Sequence, residues 1–180
     1  MPPGESTVAA GFWPFAEALY SREGVADACL WLQDHRGADV VMVLFCLWSA
    51  AVRGQGDRVL IARAATLSRE WHSHVVDPLR TVRRWLKHTG CDLPGVPSDD
   101  CQTLRESIKD RELAAEEIQI GALESLAGPA PVSPPASELR QAMAQNLATY
   151  FRERDIEVDE ATSHREQHLL TAARELLDGN

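Results

Sequence analysis

The stretch Val40-Val41-Met42-Val43-Leu44-Phe45-Cys46-Leu47-Trp48-Ser49-Ala50-Ala51-Val52 decides the fold. It holds 13 residues and no charge. A helix of that length spans about 20 Å, against about 30 Å of bilayer hydrocarbon, so it predicts a buried helix and no membrane insertion. Its β-branched start would also suit a strand, but strands rarely exceed about 10 residues. A helix that is apolar on every face must be enclosed by neighbours. The stretch therefore belongs at the centre of a bundle.

Reading outward, the neighbours show helical spacing. Phe12–Tyr20 and Val25–His35 precede the central helix, with Gly37 as a stop and Asp39 as its N-cap. Asp57 caps a further helix reaching about Val76, where Pro78 predicts a kink or break near Asp77. Leu79–His88 follows, with Leu79, Val82, Trp85 and Leu86 as its expected buried face. A long helix runs from Asp99 or Asp100 to about Leu126, with Leu104, Ile108, Ala115, Ile118, Ala122 and Leu126 as its stripe. The Pro-rich segment 127–136 reads as a stiff connector. Beyond it Leu139, Met143, Leu147, Tyr150 and Phe151 mark one amphipathic helix, and a Ser163-x-x-Glu166 capping box opens another.

The expected fold is all-α: an orthogonal or up-down helical bundle with a Pro-rich connector and two C-terminal helices. Residues 1–10 read as a flexible N-terminus and 11–127 as the bundle domain. The linker falls at 128–136, and 137–180 forms a C-terminal helical extension.

Charge is unevenly spread. The chain carries −9 overall, yet residues 58–88 hold seven Lys/Arg and two acids, and residues 98–180 hold 17 acids and eight Lys/Arg. At about 100° per residue, Arg80, Arg83, Arg84 and Lys87 form one stripe, opposite the apolar face of the same helix. Two readings follow. The stripe pairs within the protein with Glu106, Glu112 or Glu116, or it binds a small anionic ligand or an acidic partner. A net negative chain with an acidic half is a poor general nucleic-acid binder, which needs cations to displace counterions. Docking of the Arg80–Lys87 face on anionic lipid or nucleic acid is the weakest of the readings.

Other groups suggest chemistry only faintly. His72 and His74 are two apart and point to opposite sides of a helix, which is awkward for one metal. His164 and His168 share a face, but the intervening residues do not make HExxH. Glu112, Glu116 and Glu117 read as a solvated acidic face, because di-metal helices pair Glu-x-x-His elements and this chain has none. Asp34, with Gln33 beside it, lies in an apolar context and reads as half-buried and in need of a donor or cation. No P-loop, nucleophile elbow, dinucleotide turn or CxxC framework occurs. Metal and cofactor are therefore expected to be none. With no basic leader before the first apolar segment, Cys29, Cys46, Cys91 and Cys101 read as reduced thiols of a cytoplasmic protein.

The block FWPFAEALYSREGVADACLWLQDHRGADVVMVLFCLW (Phe12–Trp48) resembles an uncharacterised proteobacterial family of unknown function. WHSHVVDPLRTVRRWLK (Trp71–Lys87) and ELAAEE (Glu112–Glu117) resemble its later blocks. The family's pattern has Asn where this chain has Val41, which implies one polar core contact fewer here. The resemblance assigns no catalytic residues. It implies that Gln33, Asp34, Asp39, Trp71, Arg80, Arg83 and Arg84 lie in recurring blocks. The expected function is a non-catalytic binding or adaptor role, through a polar seam formed by Gln33–Asp39 and the Trp71–Lys87 helix. Its partner is an unidentified protein or a small anionic ligand. The alternative is an enzyme with acid/base or metal chemistry around Asp34, His72 and His74.

Overall fold

A computed structural model describes residues 11–53, 56–88, 90–128 and 136–179. The expected flexible N-terminus and most of the linker lie outside the described residues. Helices α1 (Phe12–Tyr20), α2 (Val25–Arg36) and α3 (Val40–Arg53) come first. Then α4 (Arg58–Trp71), a π turn (His72–Val76) and α5 (Asp77–His88) follow without a break. A 3-10 turn (Gly90–Asp92) leads to the long α6 (Ser98–Ala127), and α7 (Ala136–Glu153) and α8 (Glu160–Asp178) end the chain. The described residues contain helices and no strand, so the all-helical bundle stands.

Local chemistry sets the helix boundaries. Asp39 Oδ1 accepts from Val41 N–H at 2.9 Å and Asp57 Oδ1 from Leu60 N–H at 2.9 Å, so both carboxylates cap orphan donors. Gly37 ends α2 in the left-handed region, with φ of 65°, and its N–H closes on Gln33 O. The capping box expected at Ser163 is corrected: α8 opens four residues earlier, where Asp159 Oδ1 accepts from Thr162 N–H. The expected break at Asp77 is also replaced. Pro78 lacks an N–H, and the chain widens by one residue instead, with Asp77 N–H reaching His72 O.

The chain forms two compact units: residues 1–66 with 120–180, and residues 67–119. The boundary falls inside α4 and inside α6. In the first unit every residue of α3 from Val41 to Val52 is buried, as its sequence requires. Helix α7 lies along α3, α8 lies along α2, and α1 packs on α3. Phe12, Phe45 and Trp48 form an aromatic cluster with ring centroids 5.2–5.9 Å apart.

The two C-terminal helices are thus part of this unit's core. Tyr150 hydroxyl accepts from Asp39 N–H at 2.8 Å. Asn146 Nδ2 donates to Cys46 O at 3.1 Å and to Ser49 Oγ at 3.2 Å, while its Oδ1 accepts from Asp57 N–H at 2.9 Å. Buried polar groups are tolerated when their partners are supplied, and these bonds also fix the register of α7 on α3. Burial, with the Asp39 charge, pushes the Tyr150 hydroxyl well above its ordinary range, so it stays protonated.

In the second unit a disulfide joins Cys91 to Cys101 across a Cα–Cα distance of 5.4 Å. This corrects the expectation of four reduced thiols. Cys29 and Cys46 are free and buried, and burial raises the Cys29 thiol to about 12.

Candidate functional site

The second unit brings the basic helix face to a partner helix. The inward row of α6 there is Glu112, Ala115, Glu116 and Gln119, at the spacing of one helical face. Rising along the chain from Ser68, the opposing contacts descend α6. Gln119 Nε2 donates to Ser68 Oγ at 3.3 Å and Trp71 Nε1 to Ala115 O at 3.0 Å. Arg80 Nε reaches Glu112 Oε1 at 2.9 Å, and Arg80 Nη2 reaches Glu116 Oε1 at 3.0 Å. Arg83 Nε meets Glu112 Oε2 at 2.5 Å, so Glu112 serves two guanidiniums at once.

This row is an ionic ladder with little water around it. The side chains of Arg80 and Glu112 are only 13% and 9% exposed. Burial pushes the Glu112 carboxyl up, but hydrogen bonds from Arg83 and Arg80 and their charges outweigh that, holding it below the usual carboxylate value. Arg83 is correspondingly raised, first through its hydrogen bond to Glu112. The expectation that Glu112 sits on a solvated acidic face is therefore corrected. Glu106 turns elsewhere, pairing with Arg105 at 2.7 Å.

The inward turn of Arg80 and Arg83 has a geometric cost. Helix α5 is rolled so that Arg80 and Arg83 point at α6. Val82 and Trp85, expected to be buried, are 45% and 49% exposed. Arg84 and Lys87 are also exposed and make no ion pair among the described residues. The apolar stripe expected on α6 is corrected too, because Leu104 and Ile118 face solvent. One helix's pattern cannot reveal this roll. Only the acidic row on the facing helix explains it.

Gln33, Asp34 and Asp39 belong to the first unit. Asp34 is exposed, not half-buried as expected, and accepts from Gln33 Nε2 at 3.3 Å. Asp39 is buried and serves as the α3 cap described above. Close by in sequence, Trp31 was not singled out from the sequence, yet it carries the Arg36 and Arg165 guanidiniums at 4.9 and 5.1 Å from its ring centre. Arg36 also pairs with Asp159. These contacts fasten α2 to α8.

The histidines are held by separate partners. His72 Nδ1 lies 3.1 Å from Asp77 Oδ2, and His74 Nδ1 lies 2.8 Å from Glu70 O. His168 Nε2 lies 3.1 Å from Glu23 O, and His164 is exposed. Among the described residues no group of three or more His, Cys, Asp or Glu side chains is placed to hold a metal.

These features define an all-helical protein with a charge-rich interhelical contact in the second unit's α5–α6 pair. The chain belongs to the family described as protein of unknown function (DUF2390), whose model matches residues 11–123. No curated protein and no solved structure matches the chain. Helices α7 and α8 lie beyond the matched residues. Among the described residues, no helix is long and apolar enough to cross a membrane.

Proposed function

We propose that this protein is a non-catalytic binding or adaptor module that works through the outward face of α5. One observation carries the reading. Arg80 and Arg83 are neutralised by Glu112 and Glu116, while Val82, Trp85, Arg84 and Lys87 face solvent on the same helix. A half-exposed Trp beside two unneutralised cations is the composition of an interface hot spot, where Trp and Arg are enriched. The ionic ladder beneath it supplies rigidity. A folded, preorganised face loses less entropy on binding than a mobile one.

This reading narrows the sequence-based seam. Arg84, Lys87, Trp85 and Val82 touch the partner; Trp71, Arg80 and Arg83 position the helix from below. We take Gln33 and Asp34, half-buried and exposed respectively on the other unit, as a secondary contact site. The partner is a protein and not a nucleic acid, a choice supported by the net charge of −9. We assign the cytoplasm as its compartment, supported by the two buried free thiols Cys29 and Cys46. There, thiol reductants would open the Cys91–Cys101 bridge to two thiols.

The test is capture of partners from a cell lysate by wild type and by the Val82→Asp/Trp85→Asp double variant. Proteins retained by wild type and lost by the variant, with unchanged circular dichroism, support the reading. Identical protein profiles overturn it.

A further inference from the structure

We infer that the α5 face receives an acidic amphipathic helical segment of another protein; this rests on the binding role proposed above. The outward half of α5 has two edges. Taking about 100° per residue, Pro78, Val82 and Trp85 lie along one edge, at i, i+4 and i+7, over about 10 Å of helix. Arg84 lies along the other, with Thr81 and His88 between the two edges, and Lys87 is exposed one turn beyond Arg83. All seven residues are exposed.

A facing helix would meet that pattern with apolar side chains on one edge of its contact stripe and carboxylates on the other. Helix-in-groove and helix-on-helix recognition reads such i, i+3/i+4, i+7 anchors. The charge sign follows from what α5 has already used. Arg80 and Arg83 are neutralised inside the unit, so the two cations left outside set a net positive strip. The one acid of the helix, Asp77, lies beside His72 at its start, so the exposed strip carries two cations against one carboxylate. An acidic segment therefore finds two charge-assisted contacts, and a basic one finds repulsion.

Two other occupants fit less well. A nucleic acid or an anionic bilayer carries many more charges than two cations can meet, and the surplus faces the repulsion of a chain of net charge −9, whereas a short segment with two carboxylates leaves no such surplus. A second copy of this chain, set face to face about a two-fold axis through this strip, would bring its cations close to one another.

The experiment selects a random peptide display library on the full chain. The recovered peptides are then tested against Trp85→Ala and against the double charge reversal Arg84→Glu/Lys87→Glu. The expected result is recovery of peptides rich in Asp and Glu with helically spaced apolar residues. Their affinity should fall about tenfold or more in each variant. Lys-for-Glu versions of the peptides should regain binding to the charge-reversed chain.

Peptides that need Trp85 but show no acidic bias and ignore the charge reversal would overturn the acidic partner and leave the binding role standing. Failure to recover any peptide that depends on Trp85 would overturn both. Light-scattering mass showing a dimer that Trp85→Ala dissolves would also overturn the inference, since the face would then be a self-interface. The substituted side chains are solvent-exposed, and circular dichroism of each variant verifies that the fold is intact.

Discussion

The two units are stabilised by different means. All the largest fully buried side chains, among them Phe12, Phe45, Leu147, Tyr150 and Phe151, belong to the first unit. Among the described residues, those buried in the second are Ser68, Val76, Leu86, Cys101, Glu112, Ala115 and Gln119, three of them polar. Most of the exposed large hydrophobics, including Val82, Trp85, Leu93, Leu104, Leu113 and Ile118, also lie in the second unit. Burial of apolar area is non-directional and tolerates chemistry on its surface. A small unit lacking that resource depends on directed contacts: an ion-pair ladder, a tryptophan N–H bond and a covalent bridge. Its apolar surface is then left for something outside.

The sharpest way to break this contrast is in the first unit. Leu147→Ala removes a fully buried side chain of α7 against α3 and should cost about 3 kcal/mol in chemical denaturation. An effect below about 1 kcal/mol would mean α7 contributes little to that core. Next is the bridge. Cys101→Ser opens a loop of sequence separation 10 and should lower the second unit's stability by about 2–3 kcal/mol, read as a shifted melt that dithiothreitol reproduces in wild type.

Glu112→Gln comes third. It strands Arg83 and leaves Arg80 only Glu116, which should cost roughly 2 kcal/mol, less than a fully buried pair because the guanidiniums keep partial water access. The same carboxylate gives a pH signature. Its folded value lies below its unfolded one, so its contribution is complete above the ordinary carboxylate range and fades as pH falls through the lowered value. Protection of the amides near Ala115 and Arg80, with the intrinsic exchange rate divided out, should therefore fall in acid for wild type and much less for Glu112→Gln. The smallest effect is Trp85→Ala, which should move stability by no more than about 0.5 kcal/mol. A larger loss would place Trp85 in the fold and weaken its assignment to a partner.

Helix positions were largely legible in the sequence. Caps such as Asp39 and Asp57, the stop at Gly37 and the unbroken apolar run of α3 are local signals, and local chemistry decides them. The family was legible from three blocks of residues. What escaped was pairwise. Nothing within Leu79–His88 says that its cations, and not Val82 and Trp85, turn inward, because the reason sits in Glu112 and Glu116 of another helix. Asn146 on the apolar stripe of α7 was the available hint that this helix is buried against polar backbone. Its partners, Cys46 O and Asp57 N–H, lie about 90 to 100 residues away in sequence. Cys91 and Cys101 flank a Pro-rich turn, and spacing alone does not show that two thiols meet.

The wide turn at His72–Val76 acts as a phase shifter. Its one surplus residue sets the rotational phase of everything downstream, by about 100°. Wound as an unbroken α-helix, the same residues would lag the present arrangement by one step beyond the turn. Positions now filled by Arg80 and Arg83 would be taken by Leu79 and Val82, and the carboxylates opposite would face apolar side chains. The identity of the two cations offered to the outside is thus written in a single inserted position, well before the helix that displays them.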